Sequence, residues 1–254
     1  MTKTALITGA SSGLGYEFVK LFAKDGYNLV LVARNEKKLN EIKQTFNNIN
    51  ITIIKKDLSL KGASKEIYEE LKTEGISIDV LVNNAGFGLL GSFDELSVEK
   101  QTEMINLNIS TLTQMTHYFL PEMKRKGSGK ILNVASLAAF LPVPMMAVYA
   151  ATKAYVLSFS EALNEELNGR NISVTALCPG ATKTNFGSVA NAAETKVFKE
   201  AMEAEVVAKQ AYKALLSGKS TVITGSLNKA SALGVKFLPR KAVPKISKRM
   251  ATKK

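Results

Sequence analysis

Thr8-Gly9-Ala10-Ser11-Ser12-Gly13-Leu14-Gly15 closes a β-branched run, Lys3–Thr8, and opens a helix-period segment at about 13–25. Gly9 permits a tight turn after the strand, Gly13 lets the backbone approach a phosphate, and Gly15 lets helix and strand pack closely. The start of the helix then offers free N–H groups and the positive end of its dipole to an anion. Ser11, Ser12 and Leu14 fill the same turn, so these six residues are candidates for binding a dinucleotide.

Outward from this turn the chain alternates between two periods. Lys3–Thr8, Asn28–Ala33, Ile51–Lys56, Asp79–Val82, Lys130–Ala135, Ile172–Leu177 and Thr221–Thr224 read as strands, with helices between them at about 13–25, 35–46, 61–73, 98–126, 149–168 and 202–217. Several strands are nearly continuous apolar runs, as strands covered on both faces are. The pattern predicts an α/β fold: right-handed βαβ units in one doubly wound, seven-stranded parallel sheet. Residues 1–224 read as a single dinucleotide-binding and catalytic domain, and 225–254 as a basic C-terminal extension.

Tyr149 and Lys153 stand four residues apart, on one helix face, just after an uncharged stretch that contains Ser136. An ammonium beside a phenol stabilises phenolate, so Lys153 is expected to lower the Tyr149 pKa toward the range of a working general acid–base. Alone, the spacing is common on helix surfaces. It gains weight from the Gly-x-x-x-Gly-x-Gly turn, from Asn83-Asn84-Ala85-Gly86 after the fourth strand, and from Ser136 after the fifth. In this order and spacing the motifs resemble the short-chain dehydrogenase/reductase family over about residues 1–224, and within it the bacterial oxidoreductases labelled DltE-like.

The resemblance implies a Rossmann-type fold and a role for each matching residue. Tyr149 would protonate a carbonyl oxygen during reduction or act as base in reverse. Lys153 would bind the nicotinamide ribose, and Ser136 would hydrogen-bond the substrate oxygen. Asn108 would support a water-mediated proton relay, with Asn106 as the fallback match. Asn84, Ala85, Gly86, Pro179, Gly180 and Thr182 would lie along the cofactor, which carries the hydride. Residues 181–204, with Thr182, Thr184 and Phe186, match the family's mobile substrate loop. The helices at 98–126 and 149–168 would make a homodimer or homotetramer.

The end of the second strand speaks to the cofactor. An NAD enzyme usually carries an acid there to accept from the ribose 2′-hydroxyl. This chain has Ala33-Arg34-Asn35, and Arg34 can hold a 2′-phosphate through its planar fork with no carboxylate expected beside it. Glu36 falls in the next helix's first turn, where an acid is ordinary. Asp57-Leu58 matches the family's adenine-contacting pair. The expected cofactor is NADP(H), and the expected function is interconversion of a carbonyl and an alcohol. The apolar run Leu137–Met146 suits a hydrophobic substrate, with about half of it expected to pack the core. An NADP(H)-binding sensor of the same fold without turnover is the alternative, as is a membrane-surface protein whose tail dominates.

Composition narrows the rest. The chain has 254 residues, 46% of them hydrophobic, which suits one soluble domain. The single cysteine, Cys178, rules out an internal disulfide and a cysteine metal site, and no metal ligands are assigned. A reducing, cytoplasmic setting fits, and Cys178 itself reads as a small buried residue. His117, the one histidine, has no partner motif and receives no role. Residues 131–152 form 22 positions without charge, but Asn133, Ser136, Pro142, Pro144 and Tyr149 interrupt them, so a buried strand, loop and helix start are expected.

The net charge of +12 is placed unevenly: residues 219–254 hold ten Lys and Arg and no acid. Within 236–254, basic residues interleave with Phe237, Leu238, Val243, Ile246 and Met250, and 243, 246 and 250 suggest a helical stripe. This segment reads as a solvated basic helix with a frayed end, a peripheral contact to the inner membrane surface, or a dock for an acidic carrier or an anionic substrate. Nucleic acid is not expected, because no binding module is present.

Overall fold

The structure is a computed structural model that describes residues 2–235 and 237–251. Seven strands form one parallel sheet: β1 (Thr4–Thr8), β2 (Asn28–Ala33), β3 (Ile51–Lys55), β4 (Val80–Asn83), β5 (Gly129–Val134), β6 (Ile172–Cys178) and, last in the chain, β9 (Thr221–Ile223). Their order is β3-β2-β1-β4-β5-β6-β9. Each lies within one residue of its expected bounds. Two short strands that the periodicity did not announce, β7 (Thr182–Lys183) and β8 (Met202–Glu203), pair with each other inside the expected substrate loop.

Alternation along the strands feeds two cores. Ala5 and Ile7 point to the face covered by α1 (Gly13–Lys24), α2 (Glu36–Thr45) and α9 (Ala204–Leu216), where Phe18, Phe22, Leu39, Val207 and Leu215 pack. Leu6 points to the opposite face, against Ile67 and Leu71 of α3 (Ala63–Thr73) and Met115, Phe119 and Met123 of α5 (Leu112–Lys126). Those helical residues recur at three- or four-residue intervals, which turns one stripe inward. Burying side chains of this size contributes roughly 1.5–3 kcal/mol each.

The helix expected over 98–126 is interrupted. α4 (Val98–Ile105) runs into a π-helical segment, Asn106–Thr111, before α5. In this widened stretch Asn108 Nδ2 donates to the Thr152 hydroxyl at 3.0 Å, and the Thr111 hydroxyl donates to the Leu58 carbonyl at 2.5 Å. Both bonds reach distant segments, so helical periodicity alone carries no sign of them.

After β5 a short 3-10 turn, Leu137–Phe140, leads to α6 (Ala147–Glu166). The uncharged 131–152 stretch is therefore strand, loop and helix start, and no helix among the described residues is long and apolar enough to cross a membrane. The remaining helices are α7 (Phe186–Val189), α8 (Lys196–Lys199), α10 (Ser226–Val235) and α11 (Val243–Ala251). α11 places 243, 246 and 250 along one helical stripe as expected, but the body covers only part of it: Val243 is buried whereas Ile246 is exposed, and the Met250 side chain lies outside what is described. Lys236, Lys253 and Lys254 of the basic segment lie outside the described residues.

Candidate active site

The C-terminal ends of the strands meet where the strand order reverses between β1 and β4, the usual ligand crevice of an open α/β sheet. Thr8 joins the two strands there. Its hydroxyl donates to the Val82 carbonyl at 3.2 Å and accepts from the Asn84 and Ala85 N–H groups at 2.9 and 3.0 Å. Asn84 Nδ2 returns a bond to the Thr8 carbonyl at 2.8 Å. The turn after β1 is thereby tied to the exit of β4. Gly9 has φ +65°, and a Cβ there would meet Asn84 Nδ2 at 2.8 Å, so both conformation and space demand glycine. A Cβ on Gly15 would lie 2.1 Å from the Gly9 carbonyl oxygen. The first turn of α1 carries no acid and Ser12, its N-cap, makes no side-chain cap, which leaves N–H groups for an anion. This cradle fits a dinucleotide pyrophosphate.

Arg34 ends β2 on the rim, with its side chain 75% exposed, and Nη1 is 3.9 Å from Asp57 Oδ2. The expectation that no carboxylate stands beside Arg34 is thus corrected: neighbouring β2 and β3 bring Arg34 and Asp57 together although they are far apart in sequence. Burial works to raise the Asp57 pKa, but hydrogen bonds from the Ser59 hydroxyl and N–H, with the charges of Arg34 and Lys100, leave it below the usual carboxylate range. Asn35 caps α2, its Oδ1 accepting from the Lys38 N–H at 3.0 Å.

The other end of the crevice carries the candidate chemistry. Ser136 is set by the bond from the Leu137 N–H to the Pro179 carbonyl at 2.8 Å, and its Oγ accepts from the Ala138 N–H at 3.1 Å. Tyr149 and Lys153 extend from the first turns of α6, and both are buried. Lys153 Nζ donates to the Val134 carbonyl at 2.7 Å and lies 5.8 Å from the Tyr149 ring centre.

Burial pushes the Tyr149 phenol up to about 12, against the opposing effect of a hydrogen bond with Ser136. Burial also pulls Lys153 down to about 8. The expected lowering of the Tyr149 pKa by Lys153 is therefore not what the protein alone produces, because desolvation of the phenolate dominates.

The strand ends, the turn after β1 and the loop after β6 enclose a cleft of about 860 Å³. Its apolar end is built by Leu137, Ala138, Leu141, Val143 and Met146, while Ala139 and Phe140 of the same run pack against the core. Phe186 closes this end, its ring centre 5.4 Å from that of Tyr149.

A sequence profile of the short chain dehydrogenase family matches residues 3–195. The chain belongs to the short-chain dehydrogenase/reductase family. An uncharacterized oxidoreductase of Staphylococcus epidermidis is 35% identical over 182 residues, spanning 72% of this chain and 79% of that protein. The very-long-chain 3-oxoacyl-CoA reductase of Mus musculus is 34% identical over 197 residues, 73% of this chain and 61% of that protein. A short-chain dehydrogenase from Sphingobium yanoikuyae, solved in complex with NADPH, is similar with a TM-score of 0.81 at 29% identity, covering 94% of this chain and 97% of that one.

In this short-chain dehydrogenase/reductase, Gly9, Ser11, Ser12, Gly13, Leu14, Arg34, Asn35, Asp57, Leu58, Asn84, Ala85, Gly86, Ser136, Tyr149, Lys153, Pro179, Gly180 and Thr182 all line the cleft. Gly15 and Asn108 do not. Gly15 sits behind the turn as a packing residue. Asn108 lies behind Gly86, where Nδ2 donates to the Phe87 carbonyl at 3.0 Å and Oδ1 accepts from the Phe87 N–H at 3.2 Å. Ser247, from α11, also lines the cleft and was not anticipated. Its hydroxyl donates to the Pro142 carbonyl at 2.7 Å, a tertiary contact for which a lone serine in a basic segment gives no signal. Cys178 is fully buried, and burial, then the charge of Glu161, pushes its thiol up to about 12. His117 is exposed on α5, outside the cleft.

Proposed function

We propose that this enzyme is an NADP(H)-dependent oxidoreductase that interconverts a carbonyl and an alcohol on an apolar small molecule. The observation that carries this reading is the meeting of Ser136, Tyr149 and Lys153 on one wall of a cleft that also contains the glycine turn. NADP(H), when bound, supplies or accepts the hydride. The chain's own groups orient the reactants and handle the proton.

The Ser136 hydroxyl donates to the substrate oxygen, stabilising charge as it builds there. Tyr149 gives that oxygen its proton. With its pKa pushed up to about 12, the phenol stays protonated at neutral pH, as a donor must, and it has to lose that proton before it can serve as base for alcohol oxidation. Lys153, still mainly a cation at neutral pH with its pKa lowered to about 8, binds ribose hydroxyls, and its charge supports that loss. Asn108 contributes to the proton relay from behind Gly86 and Phe87. The apolar end, from Leu137 to Met146 with Phe186, receives the substrate's hydrocarbon part.

Arg34 supports the preference for NADP(H). Its exposed guanidinium has only a long contact to Asp57, so a 2′-phosphate can take the fork directly. The NADPH in the Sphingobium relative is consistent with this choice. Ile105 and Tyr155, partly exposed on α4 and α6, support assembly as a homo-oligomer through these helices.

The reading is tested by following NADPH and NADH oxidation over a panel of apolar ketones, diketones and 3-oxoacyl thioesters. Turnover on an apolar carbonyl, faster with NADPH, is expected. Tight NADPH binding with no turnover on any substrate would replace the reading with a cofactor-binding sensor.

A further inference from the structure

We propose that α10 and α11, with the segment between them, form a docking surface for an anionic lipid bilayer beside the mouth of the cleft. The inner side of this region is fixed to the body. Ala232 of α10 and Val243 and Ser247 of α11 are buried, and Ser247 is bonded to Pro142.

The outer side is apolar and cationic. Leu227, Leu233, Phe237, Leu238 and Ile246 are exposed, Phe237 at 87% and Leu227 at 76%. Scattered exposed apolar residues are ordinary, but five within the twenty residues from Leu227 to Ile246 are a local concentration. The same stretch, extended to α11, carries Lys229, Arg240, Lys241, Lys245 and Lys248, all exposed. Among the described residues none of these five makes an ion pair, whereas Lys38, Lys65, Lys100 and Lys209 each pair with a nearby glutamate. The reason is in the sequence: Glu205 is the last acid of the chain.

The combination selects the occupant. Basic residues beside exposed apolar ones suit a bilayer interface, where the cations meet anionic headgroups and the apolar groups enter the acyl boundary. A second copy docking through this face would bring like charges together. An acidic protein or nucleic acid would answer the cations and leave Leu227 and Phe237 without a role. No described helix can cross the membrane, so the surface lies on the lipid. Ser247 and Val189, itself 60% exposed, line the cleft, which places its mouth next to this surface. The proposal does not depend on the chemistry assigned to the cleft.

The test is co-sedimentation of the full chain with vesicles of phosphatidylglycerol and phosphatidylcholine in equal parts, against phosphatidylcholine alone. Binding only to the anionic vesicles is expected, weakened by salt. The variant K241E/K245E/K248E should bind roughly tenfold more weakly or worse, and L233S/F237S should also weaken it, with thermal melting and NADPH affinity unchanged in both. A wild-type chain that stays in the supernatant with both vesicles overturns the proposal. So does charge-reversed protein that binds as well as wild type. Self-association lost in L233S/F237S, with no vesicle binding, would assign the face to a second copy instead.

Discussion

The Lys153 ammonium donates to the Val134 carbonyl oxygen across 2.7 Å, which holds a buried cation against the end of β5. Its position between sheet and helix brings it near Tyr149, and burial makes its charge costly. The same burial makes Tyr149 reluctant to ionise.

Lys153→Met should therefore change stability in a pH-dependent way. The Lys153 pKa falls on folding from 10.5 to about 8, so folding releases its proton between those values and stability rises with pH across that window. Below about pH 8 the buried charge costs up to about 3 kcal/mol, offset in part by the bond to Val134. The variant should melt at the same temperature or higher near pH 7, and its advantage should shrink as pH rises toward 10.5. Tyr149, raised from 10.0 to about 12, contributes to the pH dependence only above about pH 10, outside the range of the melting curves. Melting curves from pH 6 to 10 decide it; an advantage that grows with pH would contradict the assignment.

Tyr149→Phe removes the proton donor and keeps the ring that packs on Phe186. Turnover should fall by about 10²–10⁴-fold with NADPH affinity nearly unchanged. Steady-state kinetics and fluorescence titration of NADPH would show the split, and wild-type turnover would refute the role.

The raised Tyr149 pKa also predicts a difference between directions. Carbonyl reduction needs the neutral phenol and should be nearly level through the neutral range. Alcohol oxidation needs phenolate and should climb as pH rises toward about 12. Initial rates in both directions across pH 6–10.5 test this, and an oxidation rate that declines with pH would exclude Tyr149 as the base.

Arg34→Asp should reverse cofactor preference. It replaces the fork with a second carboxylate beside Asp57, which repels a 2′-phosphate. A charge-assisted bond is worth about 1.5–3 kcal/mol, so NADPH affinity should drop by about 10- to 100-fold while NADH affinity holds or improves. Unaltered preference in competition binding would mean that another group holds the phosphate.

Phe186→Ala opens the apolar end of the cleft, where the ring lies between Tyr149 and Phe198. The catalytic efficiency toward bulky apolar carbonyls should change by about tenfold or more, in line with about 1–3 kcal/mol per apolar group in a binding site. NADPH affinity should stay constant. Equal kinetics on small and bulky ketones before and after the change would remove Phe186 from the substrate wall.

Much of this was legible because it is local. The strand-to-helix turn at Gly9–Gly15 and the one-turn spacing of Tyr149 and Lys153 depend only on residues next to each other in the chain. Nearly continuous apolar strands such as Ala5-Leu6-Ile7 announced a sheet covered on both faces, and Leu6 and its two neighbours do feed opposite cores. Less legible were the places where a distant partner reshapes a local element. The π-helical turn at Asn106–Thr111 is accompanied by bonds to Thr152 and Leu58, and periodicity alone reads that span as ordinary helix.

The amino-acid sequence by itself determined the layered α/β fold and the glycine turn after β1, for which period and residue type suffice, since each is written within one strand, turn or helix. The residues assigned to the reactive end lie on separate elements, and their roles came from motifs that resemble the short-chain dehydrogenase/reductase family. Only the tertiary structure decided that Asp57 stands beside Arg34, that Ser247 reaches the cleft, and that burial rather than Lys153 dominates the Tyr149 pKa. Those facts depend on which segments become neighbours and on how much water they exclude, and neither quantity is carried by any short stretch of chain.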